Sequence, residues 1–179
     1  MKIITLHNKT FEVFIPETEI AAIVYSMANQ INNSGVKDPL FIAVMNGAFL
    51  FAADIMRKIT IPNAEISFIK LSSYSGTQTT GEVNELIGIN GSISGRNIVV
   101  LEDIIDTGIT LDKIMSLLKK ENVADVKIAT LLFKPDAYKK DININFIGKS
   151  IPNDFVVGYG LDYDEIGRNL PHIYKLKNE

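Results

Sequence analysis

Residues 98–111 read IVVLEDIIDTGITL and hold the densest run of chemically able side chains in the chain. Three carboxylates, Glu102, Asp103 and Asp106, stand directly before Thr107, Gly108, Ile109 and Thr110. The apolar residues ahead of them predict a buried strand over 97–101. The stripe Ile114, Leu117, Leu118 predicts a helix from about Leu111 to Glu121. In open α/β sheets ligands bind beyond the carboxyl ends of strands, where helix N-termini present free amides. The amides of 107–110 then make an anion-binding nest, with two threonine hydroxyls as further donors. Gly108 lets the backbone approach an anion closely, because no Cβ intervenes. Such a cradle suits a monophosphate. It is not a Walker loop, since no Gly-Lys-Thr/Ser closes a glycine-rich run.

Acids repel phosphate, so their place beside the cradle needs a cause. Spacing alone leaves two readings open. In the first, Asp106 or Thr107 only caps the helix, and Glu102 and Asp103 are solvated. In the second, two acids accept hydrogen bonds from a ribose diol while the third acts on a base.

The elements that carry this segment alternate between strand and helix signals, which points to parallel β-α-β units. Residues 3–15 read as a short hairpin around His7-Asn8-Lys9. Pro16 opens a helix whose first turn carries Glu17 and Glu19, matching the positive end of the helix dipole. Ile20, Ile23, Val24, Met27 and Ile31 recur at helical spacing as core residues, and Gly35 supplies a stop. A continuous apolar run at 40–45 predicts a strand buried on both faces. A helix over 48–58 and a strand over 65–71 follow. Residues 72–82 are small, polar and glycine-containing, the composition of a surface loop. Further strands are expected at 126–133, 144–147 and 155–158. The expectation is one α/β domain over 1–179. It has a central, mostly parallel sheet flanked by helices and a small lobe built from both chain ends.

Bulk properties narrow the function. The chain has 179 residues, 46% hydrophobic and 22% charged, which fits an ordered domain with a sizeable core. With 18 basic and 21 acidic residues the net charge is −3, and no basic field marks a nucleic-acid binder. The absence of cysteine excludes disulfides, thiolate metal sites and cysteine nucleophiles, and suits a reducing cytoplasm. The N-terminal residues lack a signal-peptide pattern. No apolar run approaches the roughly 20 residues of a membrane-spanning helix. A cytoplasmic protein with no membrane partner is expected.

LEDIIDTGIT closely resembles the phosphoribosyl-pyrophosphate signature of type I phosphoribosyltransferases: apolar strand, Glu-Asp, two apolar residues, Asp, then Thr-Gly-x-Thr. VMNGAFLFAADIMRKI, FIKLSSYSGTQTTGE, LLFK and IPNDFVVGYGLDYDEIGRNLPHIYKL resemble the hypoxanthine–guanine branch. The likeness spans roughly residues 10–176. It implies a purine salvage transferase joining a 6-oxopurine to a 5-phosphoribosyl group from phosphoribosyl pyrophosphate. It also implies Mg²⁺ as cofactor and a homodimer or homotetramer as the assembly. Within the same fold, the rival readings are a nucleotide-sensing regulator that binds RNA and a transferase for adenine, orotate or xanthine.

Residue by residue, the resemblance assigns Glu102 and Asp103 to the ribose hydroxyls. Asp106 becomes the general base at purine N7, and 106–110 (Asp106, Thr107, Gly108, Ile109, Thr110) the 5′-phosphate site. Lys134 matches the lysine that donates to purine O6. Lysine has donors only, which favours a carbonyl over an amino group. Phe155 matches the aromatic that stacks on the purine, and Val156 the residue whose backbone meets its edge. Asp162 matches a magnesium ligand and Arg168 an arginine that reaches the pyrophosphate. Asn46 and Gly47 fall in the pyrophosphate loop, where a non-proline cis peptide at Met45-Asn46 is typical. Many members carry lysine where this chain has Asn46. Ser73 and Tyr74 match the lid pair. Read without the resemblance, Lys134 is first an exposed strand-end lysine, Phe155 and Val156 are core strand residues, and DYDE is a solvated turn.

Overall fold

The computed structural model describes residues 3–71, 85–87 and 91–177, the segment 85–87 by its backbone alone. At its centre lies β3 (Leu40–Val44), every residue of which is buried. A strand of aliphatic and aromatic residues without alternation has no face to offer water, so it must lie between two layers. β3 pairs in parallel with β4 (Glu65–Leu71) and with β6 (Asn97–Ile105). β6 in turn pairs with β7 (Asp125–Phe133), and β7 with β8 (Phe146–Ser150), again in parallel. β5 (Glu85–Ile87) adds to β4 antiparallel. The order is β5-β4-β3-β6-β7-β8. From β3 the chain first steps to β4 on one side, then returns to β6 on the other. At this reversal the connections leaving the strand ends diverge and open a crevice.

Alternate residues of the central strands feed opposite layers. Phe41, Ala43, Val99 and Leu101 pack with α1 (Glu17–Asn32) and α2 (Phe49–Met56) through Ile20, Val24, Met27, Phe51 and Ile55. Leu40, Ile42, Ile98 and Val100 pack on the other face with Ile114 and Leu118 of α3 (Ile109–Lys120). Each of the larger side chains among them contributes about 1.5–3 kcal/mol on full burial. The sandwich therefore holds the crevice rim in place.

The second sheet has order β1-β2-β10-β9, antiparallel throughout. β1 (Ile3–Leu6) and β2 (Lys9–Ile15) come from the beginning of the chain, β9 (Val156–Val157) and β10 (Ile173–Leu176) from its last quarter. Ile15, Val156 and Ile173 enter the same core cluster as α1 and α2, which seats this small lobe on the main sheet.

Several boundaries differ from the sequence expectation. β6 continues past Leu101 to Ile105, because Glu102, Ile104 and Ile105 still pair with Thr130, Leu132 and Phe133 of β7. α3 begins at Ile109 rather than Leu111, and α2 covers Phe49–Met56 of the expected 48–58. β8 starts at Phe146, since the Asn145 side chain accepts from the Ile128 amide (2.9 Å) before the ladder begins. β9 is confined to Val156–Val157, so Phe155 lies just outside the strand.

Candidate active site

Between the end of β6 and the start of α3, Gly108 takes φ 82 and ψ 6 and occupies the N-cap position. Glycine reaches this left-handed conformation without the steric penalty other residues meet. No side chain caps the helix. Neither Asp106 nor Thr107 is therefore spent on capping. A helix leaves its first N–H groups without intrahelical partners. Among the described residues, the amides of 107–110 meet no protein acceptor. These residues line a cleft of about 380 Å³ together with Met45, Gly47, Glu102, Asp103 and Asp106. Free donors, positive helix end and cleft coincide, which is the physical requirement for holding a phosphate.

The outer wall of the cradle is the segment after β7, which sequence reasoning missed. A Cβ at Gly108 would lie 2.6 Å from Tyr138 Cε2 and 2.9 Å from Lys140 Cγ, so space as well as φ demands glycine there. The Lys139 amide donates to the Thr107 carbonyl at 3.3 Å, and Lys140 Nζ pairs with Asp112 Oδ2 at 2.6 Å.

The acids sit differently from the solvated alternative. Glu102 is 4% exposed. Burial, helped by the neighbouring Asp103 charge, raises its carboxyl well above the ordinary range. Asp103 is half-buried. Burial pushes it up to about 6, against hydrogen bonds from the Ile104 and Asp103 amides and the pull of the Arg168 guanidinium, with the Asp162 carboxylate pushing the same way as burial. Gly47 presses on the Asp103 carboxylate so closely that a Cβ would collide with it.

Lys134 is 8% exposed, so the exposed-lysine alternative does not describe it. Its Nζ donates to Asp106 Oδ2 at 2.9 Å, and its amide donates to the Ile105 carbonyl at 3.0 Å. Among the described residues Asp106 Oδ1 has no protein partner. An ammonium and a carboxylate side by side at the cleft form a donor next to an acceptor.

Asp162 Oδ1 lies 2.8 Å from Arg168 Nη2, and its Oδ2 accepts from the Glu165 amide at 2.9 Å. The DYDE turn is therefore structured by its acids. Arg168 Nη1 donates to the Gly160 carbonyl (3.0 Å), while its Nε is buried without a partner. A buried N–H calls for an acceptor, and an anionic ligand supplies one. Among the described residues no group of three or more side chains could enclose a metal. Mg²⁺ needs no such cage, since it keeps waters and takes few carboxylates. The hard oxygens of Asp162 fit that donor chemistry.

The Met45-Asn46 peptide is cis, and Asn46 is half-buried beside Gly47. Asn46, Lys134, Asp162, Arg168, Phe155 and Val156 do not line the cleft just described, although Lys134 is bonded to its Asp106. Phe155 is 43% exposed in an aromatic group with Phe11 (6.2 Å) and Tyr163 (5.7 Å), and Val156 is 6% exposed on β9. Ser73 and Tyr74 lie outside the described residues. Gly160 was not singled out from the sequence. Its missing Cβ leaves room for the Gly47 carbonyl, and the glycine-dense run VVGYGL was the available signal.

Comparisons with known proteins bear on this geometry. The phosphoribosyl transferase domain model matches residues 16–164. A hypoxanthine-guanine phosphoribosyltransferase of Staphylococcus aureus is 39% identical over 176 residues, covering 97% of this chain and 98% of the relative. A crystal structure of a hypoxanthine phosphoribosyltransferase from the same species superposes with a TM-score of 0.84 at 38% identity, covering 93% of this chain and 91% of that one. A hypoxanthine-guanine phosphoribosyltransferase structure from Bacillus anthracis gives a TM-score of 0.83 at 38% identity, over 93% and 97% of the two chains. The chain belongs to the phosphoribosyl transferase family, in its hypoxanthine-guanine branch.

Proposed function

We propose that this chain is a purine salvage transferase that moves the 5-phosphoribosyl group of phosphoribosyl pyrophosphate onto hypoxanthine or guanine, giving the nucleoside monophosphate and pyrophosphate. The observation that carries the reading is the Lys134 and Asp106 pair, with 2.9 Å between Nζ and Oδ2 and Asp106 lining the cleft. A 6-oxopurine presents its O6 acceptor beside its N7 proton. An ammonium next to a carboxylate is the complement of that edge. Lysine cannot accept from an adenine amino group, so the same pair favours 6-oxopurines.

In this reading the amides of 107–110 and the Thr107 and Thr110 hydroxyls hold the 5′-phosphate, and Glu102 and Asp103 accept from the ribose hydroxyls. Asp106 takes the N7 proton as N9 bonds to ribose C1 and the C1–oxygen bond to pyrophosphate breaks. Arg168 and the backbone around Asn46 and Gly47 stabilise the departing diphosphate. Mg²⁺, held by Asp162 and substrate oxygens, would supply further neutralisation of that charge. Phe155 and Val156 serve the purine from the lobe. Holding both substrates in one orientation supplies much of the acceleration. The reading implies cytoplasmic metabolites as partners and a homodimer or homotetramer as the working assembly.

The test is a spectroscopic assay with phosphoribosyl pyrophosphate, Mg²⁺ and each base in turn. Turnover with hypoxanthine or guanine and none with adenine is expected. No turnover with any 6-oxopurine, combined with retention of RNA on a filter at physiological salt, would replace the enzyme by the regulatory alternative.

A further inference from the structure

Tyr159 has no part in the chemistry above, yet the structure commits it firmly. It is 7% exposed and sits at φ 49 between Gly158 at φ 98 and Gly160 at φ 101. A run of positive φ values folds the chain back on itself, closed by bonds between Gly158 and Leu161 in both directions (2.9 and 3.2 Å). A bulky residue is disfavoured in this conformation, so contacts beyond the turn must hold it. The contact is with α2: the Tyr159 hydroxyl donates to Asp54 Oδ2 at 2.6 Å, across 105 residues of sequence. Burial and the Asp54 carboxylate both raise the phenol, which keeps its proton on the donor.

Both ends of this bond lead to the cleft. Asp54 lies on α2, the helix launched directly from the turn that contains Gly47. Gly160, adjacent to Tyr159, rests against the Gly47 carbonyl with no room for a Cβ. Gly160 also exchanges two hydrogen bonds with Arg168: its amide donates to the Arg168 carbonyl at 2.9 Å, and its carbonyl accepts from Nη1 at 3.0 Å. A displacement at Tyr159 is thereby passed to the spacing between Gly47 and Arg168. The nest at 107–110 belongs to another element and is not bonded to Tyr159 or Gly160; the Gly47 turn meets the strand before it at the Asp103 carboxylate.

We propose that Tyr159 is a positioning residue whose hydrogen bond to Asp54 sets the separation of the Gly47 turn and the Arg168 guanidinium, and with it the grip on the diphosphate end of the sugar substrate. The inference rests on the function proposed above and deepens it. It separates two subsites of one cleft: the diphosphate subsite depends on Tyr159, and the 5′-phosphate cradle does not.

Tyr159→Phe keeps the ring and its packing. The Asp54 side chain is 39% exposed, so water can take the vacated acceptor and the variant is expected to fold. Asp54→Ala cuts the same bond from the partly exposed side, and Asp54→Asn retains an acceptor. Calorimetry on the full chain measures phosphoribosyl pyrophosphate and inorganic diphosphate, each with Mg²⁺, against inosine monophosphate, alongside KM and kcat. Tyr159→Phe and Asp54→Ala should each weaken both diphosphate ligands about 10-fold, well within the ~100-fold that a misplacement of about 1 Å can cost. KM for the sugar substrate should rise by a similar factor. Inosine monophosphate should change less than about twofold, and the double variant should be no worse than either single one. Asp54→Asn should stay near wild type. Equal losses for nucleotide and diphosphate, or no loss of either, overturn the positioning role. Failure of the unaltered chain to bind phosphoribosyl pyrophosphate at all would instead sink the proposed function.

Discussion

Residues 102–110 line the cleft as one unbroken strand end, turn and helix start, whereas Lys134, Asp162 and Arg168 do not line it and are tied to its neighbourhood from separate stretches by long-range bonds. The first region owes its geometry to backbone rules. β6 delivers alternating side chains, Gly108 turns the chain at φ 82, and α3 aims its free amides. The second region owes its geometry to packing. Lys134 is placed by β7 lying beside β6, and Arg168 by the Gly160 backbone folded against Gly47. In the function proposed above, the contiguous part holds the sugar phosphate and the candidate base, and the assembled part meets the purine edge and the diphosphate.

Breaking the contiguous part at its reactive group should have the largest effect. Asp106→Asn is expected to lower kcat by about 10²–10⁴, the usual contribution of a positioned general base, with little change in substrate binding. Steady-state kinetics with hypoxanthine or guanine decides it. A rate within a few-fold of wild type would remove Asp106 from the base role and shift the chemical burden to the other region.

The assembled part is probed at Lys134. Lys134→Ala should weaken 6-oxopurine binding about 10- to 100-fold, in line with about 1.5–3 kcal/mol for a hydrogen bond from a charged group. The loss in kcat should be smaller than for Asp106→Asn. Unchanged base affinity in a calorimetric titration would refute the O6 contact.

The smallest effect is expected where the two regions meet, at Asp103. Its carboxyl is raised from the ordinary 3.8 to about 6, chiefly by burial. Between those values the folded chain retains a proton that the unfolded chain releases, so stability falls as pH rises through this window. Above about pH 6 the whole penalty is present. Asp103→Asn removes it, so the ligand-free melting temperature should rise by about 2–4 °C at a pH of about 7.5, as expected for a stabilisation of about 1 kcal/mol. At a pH of about 3.5 the variant and wild type should melt together. A gain that does not vary with pH would trace the effect to packing and detach Asp103 from the charges of Arg168 and Asp162. A stabilised variant that binds ribose poorly is the usual exchange between stability and function.

Most of the architecture was legible because it follows local rules. LFIAV read as a strand with both faces covered, Pro16 with two following acids read as a helix start, and the alternation of such segments implied a parallel sheet. The run LEDIIDTGIT was readable as a strand end, turn and helix start beside acids for the same reason, since these are neighbours in sequence as well as in space. What the chain's order of residues left open was everything that depends on a partner far along it. Spacing did not decide whether Asp106 or Thr107 capped α3; the left-handed Gly108 holds that position and frees both. Nor did it decide whether Lys134 faced solvent, because its ammonium meets Asp106 only through the register of β7 on β6. The contacts of Gly47 with the Asp103 carboxylate and with Gly160, and of Tyr159 with Asp54, have no counterpart in any local pattern. Periodicity and turn chemistry act over a few residues and can be read along the chain. Distances across a cleft are set by how whole layers pack, and only the folded molecule fixes them.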